Sequence, residues 1–131
     1  YEIELGLVGA EMCIRDRLNA KDTLKVLWDP GNNCWCHELA FPDGYEEVRD
    51  GYLGHIHIKD VFVDTPKATL TVQEMGQGQL GPLFEDMAAA LRKDQYKGVI
   101  SFESVYHPGN GNFEDGFRKC IGKFKSLFGV D

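Results

Sequence analysis

Three short apolar segments of the chain each carry, at their carboxyl end, a residue able to bind a metal or move a proton. The segments span residues 24–28, 52–58 and 98–102, and the polar residues at their ends are Asp29, His57 and Glu103. Short apolar runs bounded by polar and breaker residues are typical of buried β-strands. Barrel and doubly wound proteins carry their active sites at the carboxyl ends of such strands. This recurrence constrains the fold more than any other feature.

Amphipathic helices are predicted between and after these strands. Residues 82–94 begin with Pro82 and place apolar side chains along one stripe. Residues 113–128 repeat the pattern, and Gly129 is placed to end the helix. A shorter helix is predicted over residues 45–50. Strands that alternate with helices predict an α/β protein whose parallel sheet is covered by helices.

The second strand segregates its polar and apolar side chains. Alternation puts His55, His57 and Lys59 on one face, and Ile56 and Ile58 on the other. His55 lies one pleat deeper in the sheet than His57. It is predicted to support the site and line the substrate pocket, and the alternative is a buried core histidine that forms a hydrogen bond. Lys59 lies one pleat further out and is predicted to reach a substrate oxygen or phosphate, the alternative being a solvated lysine.

The three strand-end residues are expected to converge, because parallel strands present their carboxyl ends on one side of a sheet. Two carboxylates and one imidazole suit Mn²⁺, Mg²⁺ or Co²⁺ better than Zn²⁺. Asn32 follows Asp29 by three residues and is a candidate substrate-binding group. The alternative is that Asp29 and Glu103 cap turns or helices and that Asn32 is a turn residue.

The segment between the second and third strands is unusually long. Asp29 and His57 are 28 positions apart, whereas His57 and Glu103 are 46 positions apart. The excess lies in residues 60–80, which include Gly76 and Gly78. We expect a loop that overhangs the strand ends and covers a ligand.

Charge and hydropathy exclude several classes of protein. The 131 residues carry a net charge of -7 without a block rich in Lys or Arg, which argues against binding to nucleic acid. No apolar run approaches the roughly 20 residues of a membrane span. The first residues lack the charged-then-apolar pattern of a signal peptide, so we expect none. The expectation is a cytoplasmic protein with a small-molecule substrate and no membrane partner.

Four motifs occur along the chain in a characteristic order. They are Val-Leu-Trp-Asp-Pro-Gly-Asn at 26–32, Pro-Asp-Gly-Tyr at 42–45, Gly-His-Ile-His-Ile-Lys-Asp at 54–60 and Ser-Phe-Glu at 101–103. Their order and spacing resemble the sugar phosphate isomerase/epimerase family of xylose-isomerase-like TIM barrels, from about Leu24 to the carboxyl terminus. The resemblance implies the C-terminal portion of a (β/α)8 barrel.

The resemblance also implies a site. Family members hold a divalent metal with Glu, Asp, His and Glu from successive strand ends. Asp29, His57 and Glu103 match three of these positions, and Glu2 matches the fourth, with Glu4 as the fallback. The two glutamates, Glu2 and Glu103, would move protons at the carbon beside a carbonyl while the metal stabilises an enediolate. The implied activity is isomerisation or epimerisation of a sugar or sugar phosphate.

Three alternatives stay open at this point. An inosose dehydratase-like lyase uses a similar cluster to eliminate water. DNA-repair endonuclease relatives need more histidines, and Asn32 stands where they place one. A non-catalytic barrel fragment would serve as an interaction module.

The chain is short for such a barrel, which has eight strands and about 250 residues. We therefore expect residues 1–131 to be a single partial domain, inactive alone and completed by a complementary half or by a second copy. Residues 12–17, Met-Cys-Ile-Arg-Asp-Arg, match the translation of a transposon-end adapter from sequencing libraries, which indicates a truncated or chimeric gene model. The alternative is an amphipathic helix over residues 10–20.

Overall fold

The computed structural model describes residue 17 and residues 23–103, 105–109 and 111–129. The predicted ligand Glu2, its fallback Glu4 and residues 12–16 of the suspected adapter segment lie outside the described residues. Of that segment only Arg17 is described, and its backbone is helical.

The described chain alternates strands and helices. The strands are β1 (Val26–Trp28), β2 (Leu53–Ile58), β3 (Asp60–Asp64), β4 (Thr69–Gln73) and β5 (Val99–Phe102). The helices are α1 (Pro30–Trp35), α2 (Tyr45–Val48), α3 (Phe84–Lys93) and α4 (Phe113–Phe128), with a π-type turn at Ala40–Gly44 and 3₁₀ turns at Thr65–Lys67 and Gly81–Leu83. This order confirms the predicted α/β class.

A parallel sheet forms the centre of the described chain, with the strand order β1-β2-β5. Leu27 of β1 lies opposite His55 of β2, and His57 lies opposite Ser101 of β5. The three predicted strands are therefore neighbours that run in the same direction, and their carboxyl ends lie at one edge of the sheet.

The core lies between this sheet and the helices. Ile56 and Ile58, on the apolar face of β2, are fully buried. The apolar stripes of α3 and α4 supply buried side chains such as Phe84, Met87 and Phe124. Removing each of these large side chains from water contributes about 1.5–3 kcal/mol. Gly129 ends α4 with a φ of 68°, as predicted from its position.

One local prediction was wrong, and one alternative proved right in part. Residues 60–80 are not a simple loop, because β3 and β4 pair as an antiparallel hairpin with Asp60 opposite Gln73. Alternating β-branched residues in both segments favour this pairing. Asp29 caps a helix, as its alternative role required, whereas Asn32 lies in that helix and not in a turn, because Pro30 occupies the first helical position.

The linker between α3 and β5 is tied to α2 by a buried phenol. The hydroxyl group of Tyr45 donates a hydrogen bond of 2.7 Å to Asp94, and Arg49 pairs with the same carboxylate at 2.9 Å. Burial and the hydrogen bond to Asp94 raise the pKa of Tyr45. The folded chain therefore keeps the phenolic proton at a pH where the unfolded chain loses it.

This difference predicts a loss of stability in alkali. Above about pH 10, the ordinary tyrosine value, the unfolded state releases the proton and the folded state does not, so the free energy of unfolding falls as pH rises. We expect Tyr45→Phe to lower the free energy of unfolding by about 1 kcal/mol at pH 7. The difference in this free energy between the variant and the wild type should become smaller by pH 11. Urea denaturation at pH 7, 9 and 11 measures this. A constant gap across that range would contradict the assignment.

Candidate metal centre

Asp29 is positioned by the junction of β1 and α1. It follows the last residue of β1 and caps α1, where its Oδ1 accepts a hydrogen bond of 3.1 Å from the backbone N–H of Asn32. The side chain is almost completely buried. Burial raises the pKa of Asp29, and the nearby Lys59 opposes that shift. The helix cap orients the carboxylate and leaves Oδ2 to face the site.

His57 and Glu103 are positioned by the pairing of β2 with β5. Glu103 follows β5, and its backbone N–H donates to the carbonyl of Ile58 at 2.9 Å, which continues the ladder between the strands. His57 is half-buried on the same edge of the sheet. Its ring packs edge to face against His55, with ring centroids 5.0 Å apart.

The structure brings three of the four predicted metal ligands together. One ligand atom from each of Asp29, His57 and Glu103 can be chosen so that all lie within 4.8 Å of one another. Parallel pairing explains this, because it aligns the three carboxyl ends. The fourth predicted ligand, Glu2, lies outside the described residues.

A model of the xylose isomerase-like TIM barrel family matches residues 11–125. The chain belongs to this family. The family includes sugar isomerases and epimerases, and its members often bind divalent metals. No curated protein matches the chain. Among the described helices, none has the length and apolar character needed to cross a membrane.

The predicted substrate-binding residues of this xylose isomerase-like chain lie around the cluster in different ways. His55 shares a hydrogen bond of 2.7 Å between its Nε2 and the hydroxyl group of Ser101, one pleat behind His57. Asn32 lies in the first turn of α1 and is half-buried. Whether these residues bind substrate stays a prediction.

Lys59 lies inside the cluster. Its Nζ donates to Asp29 Oδ2 at 2.6 Å and to Glu103 Oε2 at 2.5 Å, and the residue is only 8% exposed. Burial alone would lower the pKa of Lys59, but the charge of Asp29 and the hydrogen bonds to both carboxylates outweigh burial and raise it. Lys59 is therefore a protonated cation held by two of the predicted metal ligands.

The donor set fits a divalent cation. Asp29 and Glu103 hold the positive charge of an ammonium group in this structure, so their oxygens form an anionic pocket that attracts a cation. Carboxylate oxygens with one imidazole nitrogen suit Mn²⁺, Mg²⁺ or Co²⁺. The three side chains are therefore compatible with the metal that is common in this family.

Sequence reasoning missed Asp60. This fully buried carboxylate accepts four backbone hydrogen bonds, from Val61, Gly76, Gly78 and Leu80, at 2.8–3.1 Å. It anchors the glycine-rich segment that follows the hairpin next to the strand ends. The available signal was an acid at the start of a strand, followed by a Gly-x-Gly sequence.

Gly78 is required by this anchor. A Cβ atom at this position would lie 2.3 Å from Asp60 Oδ1 and 2.6 Å from the carbonyl oxygen of Val61. No side chain fits at that separation without movement of the backbone. The glycines of the predicted covering segment therefore allow the chain to approach Asp60.

Proposed function

We propose that the chain belongs to a divalent-metal-dependent isomerase or epimerase that acts on a sugar or sugar phosphate through an enediolate. The observation that carries the proposal is the convergence of Asp29, His57 and Glu103 at adjacent strand ends in a family that includes sugar isomerases and epimerases.

Asp29, His57 and Glu103 would hold the metal, and Glu2 is proposed as the fourth ligand. Mn²⁺, Mg²⁺ and Co²⁺ are favoured over Zn²⁺ because the described set has two oxygen donors and one nitrogen donor. When bound, the metal would supply positive charge where the oxyanion of the substrate develops.

Glu103 is the proposed base. Its side chain is 30% exposed, whereas that of Asp29 is 5% exposed, so Glu103 is the carboxylate with access to a ligand. It would remove the proton from the carbon beside the carbonyl, and Glu2 would serve the neighbouring carbon or the opposite face. His55, Asn32 and Lys59 are proposed to bind the hydroxyl or phosphate groups of the substrate.

The catalytic unit is proposed to need more strands than the described chain contains. The described sheet has three parallel strands, and a (β/α)8 barrel has eight. We propose that a complementary barrel half or a second copy of the chain supplies the others. Size-exclusion chromatography tests this, and elution as a stable, metal-responsive monomer would contradict it.

Hydrogen exchange tests the activity directly. The chain, assembled with the second copy or complementary half that completes the barrel, would be incubated in D₂O with Mn²⁺ and a panel of ketoses and ketose phosphates. Proton NMR would follow the substrate. We expect deuterium at the carbon beside the carbonyl, and no incorporation after treatment with EDTA. The matched pair is Asp29→Asn, expected to abolish incorporation, and Asp43→Asn, an exposed aspartate expected to leave it unchanged.

Two other results of this experiment would favour a different function. If the protein eliminates water from a polyol ketone and the remaining substrate contains no deuterium, the activity is that of a lyase of the inosose dehydratase type. Absence of both exchange and Mn²⁺ binding would indicate a non-catalytic barrel fragment.

A further inference from the structure

We propose that Lys59 is a built-in cation that competes with the divalent metal for Asp29 and Glu103 and leaves these carboxylates when the metal binds. The inference rests on the proposed metal site and adds a second state to it. In the structure the ammonium group lies on both carboxylates. In the loaded state the ammonium group is released toward the substrate.

The contacts of Lys59 are those of a bound cation rather than of a surface ion pair. Nζ lies 2.6 Å from Asp29 Oδ2 and 2.5 Å from Glu103 Oε2, so one ammonium group bridges both carboxylates. The Lys59 side chain is 9% exposed. By contrast, Lys67 pairs with Asp64 at the same distance of 2.6 Å, but its side chain is 75% exposed.

The backbone of α1 makes room for this arrangement. A Cβ atom on Gly31 would lie 2.9 Å from both Cγ and Cε of Lys59. The methylene chain of Lys59 therefore runs directly over Gly31, in a path that a larger residue would obstruct. This close packing holds the ammonium group over the carboxylates instead of letting it extend into solvent.

A metal held by Asp29 and Glu103 would compete with the ammonium group for their negative charge. The ammonium group occupies Asp29 Oδ2 and Glu103 Oε2. Metal–oxygen bonds are shorter than these contacts, about 2.0–2.1 Å for Mg²⁺. Two cations held that close repel strongly, because the Lys59 and Asp29 side chains are only 9% and 5% exposed. Binding of the metal therefore requires displacement of Lys59, and the displaced ammonium group becomes available to an anionic substrate group.

Affinity for Mn²⁺ tests the competition without reference to catalysis. We would measure it by isothermal titration calorimetry for wild type, Lys59→Met and Lys59→Arg. Lys59→Met keeps an unbranched apolar side chain and removes the charge, so we expect Mn²⁺ to bind at least about tenfold tighter. Lys59→Arg keeps the charge and should bind Mn²⁺ no more tightly than wild type. Lys67→Met, at the exposed pair, should leave the affinity unchanged.

A measurement on the wild-type chain covers the case in which Lys59→Met fails to fold. With ¹⁵N-labelled lysine, the ammonium protons of Lys59 should be protected from exchange with water by the two carboxylates. Addition of Mg²⁺ should remove that protection and shift the Nζ resonance. An unchanged resonance at a Mg²⁺ concentration that saturates the site would overturn the inference.

The outcomes separate this inference from the proposed function. Equal Mn²⁺ affinities for wild type and Lys59→Met would refute the competition and leave the metal site standing. Failure of both proteins to bind Mn²⁺ would refute the metal site and the inference together. Binding by Lys59→Met alone would support both, since the ammonium group then excludes the metal from the wild-type chain.

Discussion

Replacement of Glu103 by Gln is expected to lower the metal-dependent proton exchange by roughly 100- to 10,000-fold, the range for loss of a general base. The amide has nearly the shape of the carboxylate but cannot accept a proton. The substitution also removes one negative charge from the cluster that Glu103 forms with Asp29 and His57, so the affinity for Mn²⁺ should fall as well. The rate of deuterium incorporation and the calorimetric affinity for Mn²⁺ measure the two effects separately.

The matched control is Glu85→Gln. Glu85 lies in the first turn of α3, and its side chain is 72% exposed. The same chemical change there should leave both exchange and metal affinity at wild-type values. If Glu103→Gln retains wild-type exchange, another residue is the base, and the assignment of Glu103 is wrong.

Replacement of Asp60 by Asn is expected to reduce the free energy of unfolding by about 3–5 kcal/mol, a large part of the stability of a small domain. Each oxygen of Asp60 accepts two backbone N–H groups, with Val61 and Leu80 on Oδ1 and Gly76 and Gly78 on Oδ2. The amide group of Asn can serve only one of these pairs, so two buried N–H groups lose their acceptor.

Asp64→Asn is the matched control at the other end of β3. Asp64 pairs with the exposed Lys67, and such surface ion pairs contribute at most about 1 kcal/mol. Urea denaturation should therefore separate the two variants by several kcal/mol. Equal stabilities would mean that the segment from Gly76 to Leu80 is held by contacts other than Asp60.

Strand periodicity was sufficient to predict where the three residues of the candidate site lie. Asp29, His57 and Glu103 were expected at one edge because each closes an apolar run, and the structure places them there. Parallel pairing makes this inference possible, since it aligns strand ends whatever lies between them. The roles of these residues as metal ligands, and that of Glu2, stay predictions.

Strand periodicity did not predict which groups the Lys59 side chain contacts. Alternation placed it correctly on the face of His57, and the expectation was an outward reach toward substrate. A lysine has four rotatable methylene groups, so the direction of its charge is decided by whatever anions lie within reach. Here those anions are Asp29 and Glu103, which are 30 and 44 positions away in the chain.

The hairpin and α1 were missed for different reasons. The length of the segment from residue 60 to 80 and its glycines indicated a loop, although both β3 and β4 carry alternating β-branched residues. After Asp29, Pro30 and Gly31 are the breaker residues that end the first strand, and no helix is predicted there. Pro30 instead begins α1, because a proline at the first helical position loses no hydrogen bond.

The sequence by itself determined the α/β class, the three parallel strands and the residues at their carboxyl ends, because these depend on local periodicity and on a general rule of parallel pairing. Only the tertiary structure decided what the charged groups contact. Asp60 holds backbone groups 16–20 positions away, and Lys59 bridges two carboxylates from different strands. Such contacts depend on which segments folding brings together, so a local pattern such as the Gly-x-Gly sequence does not identify the partner.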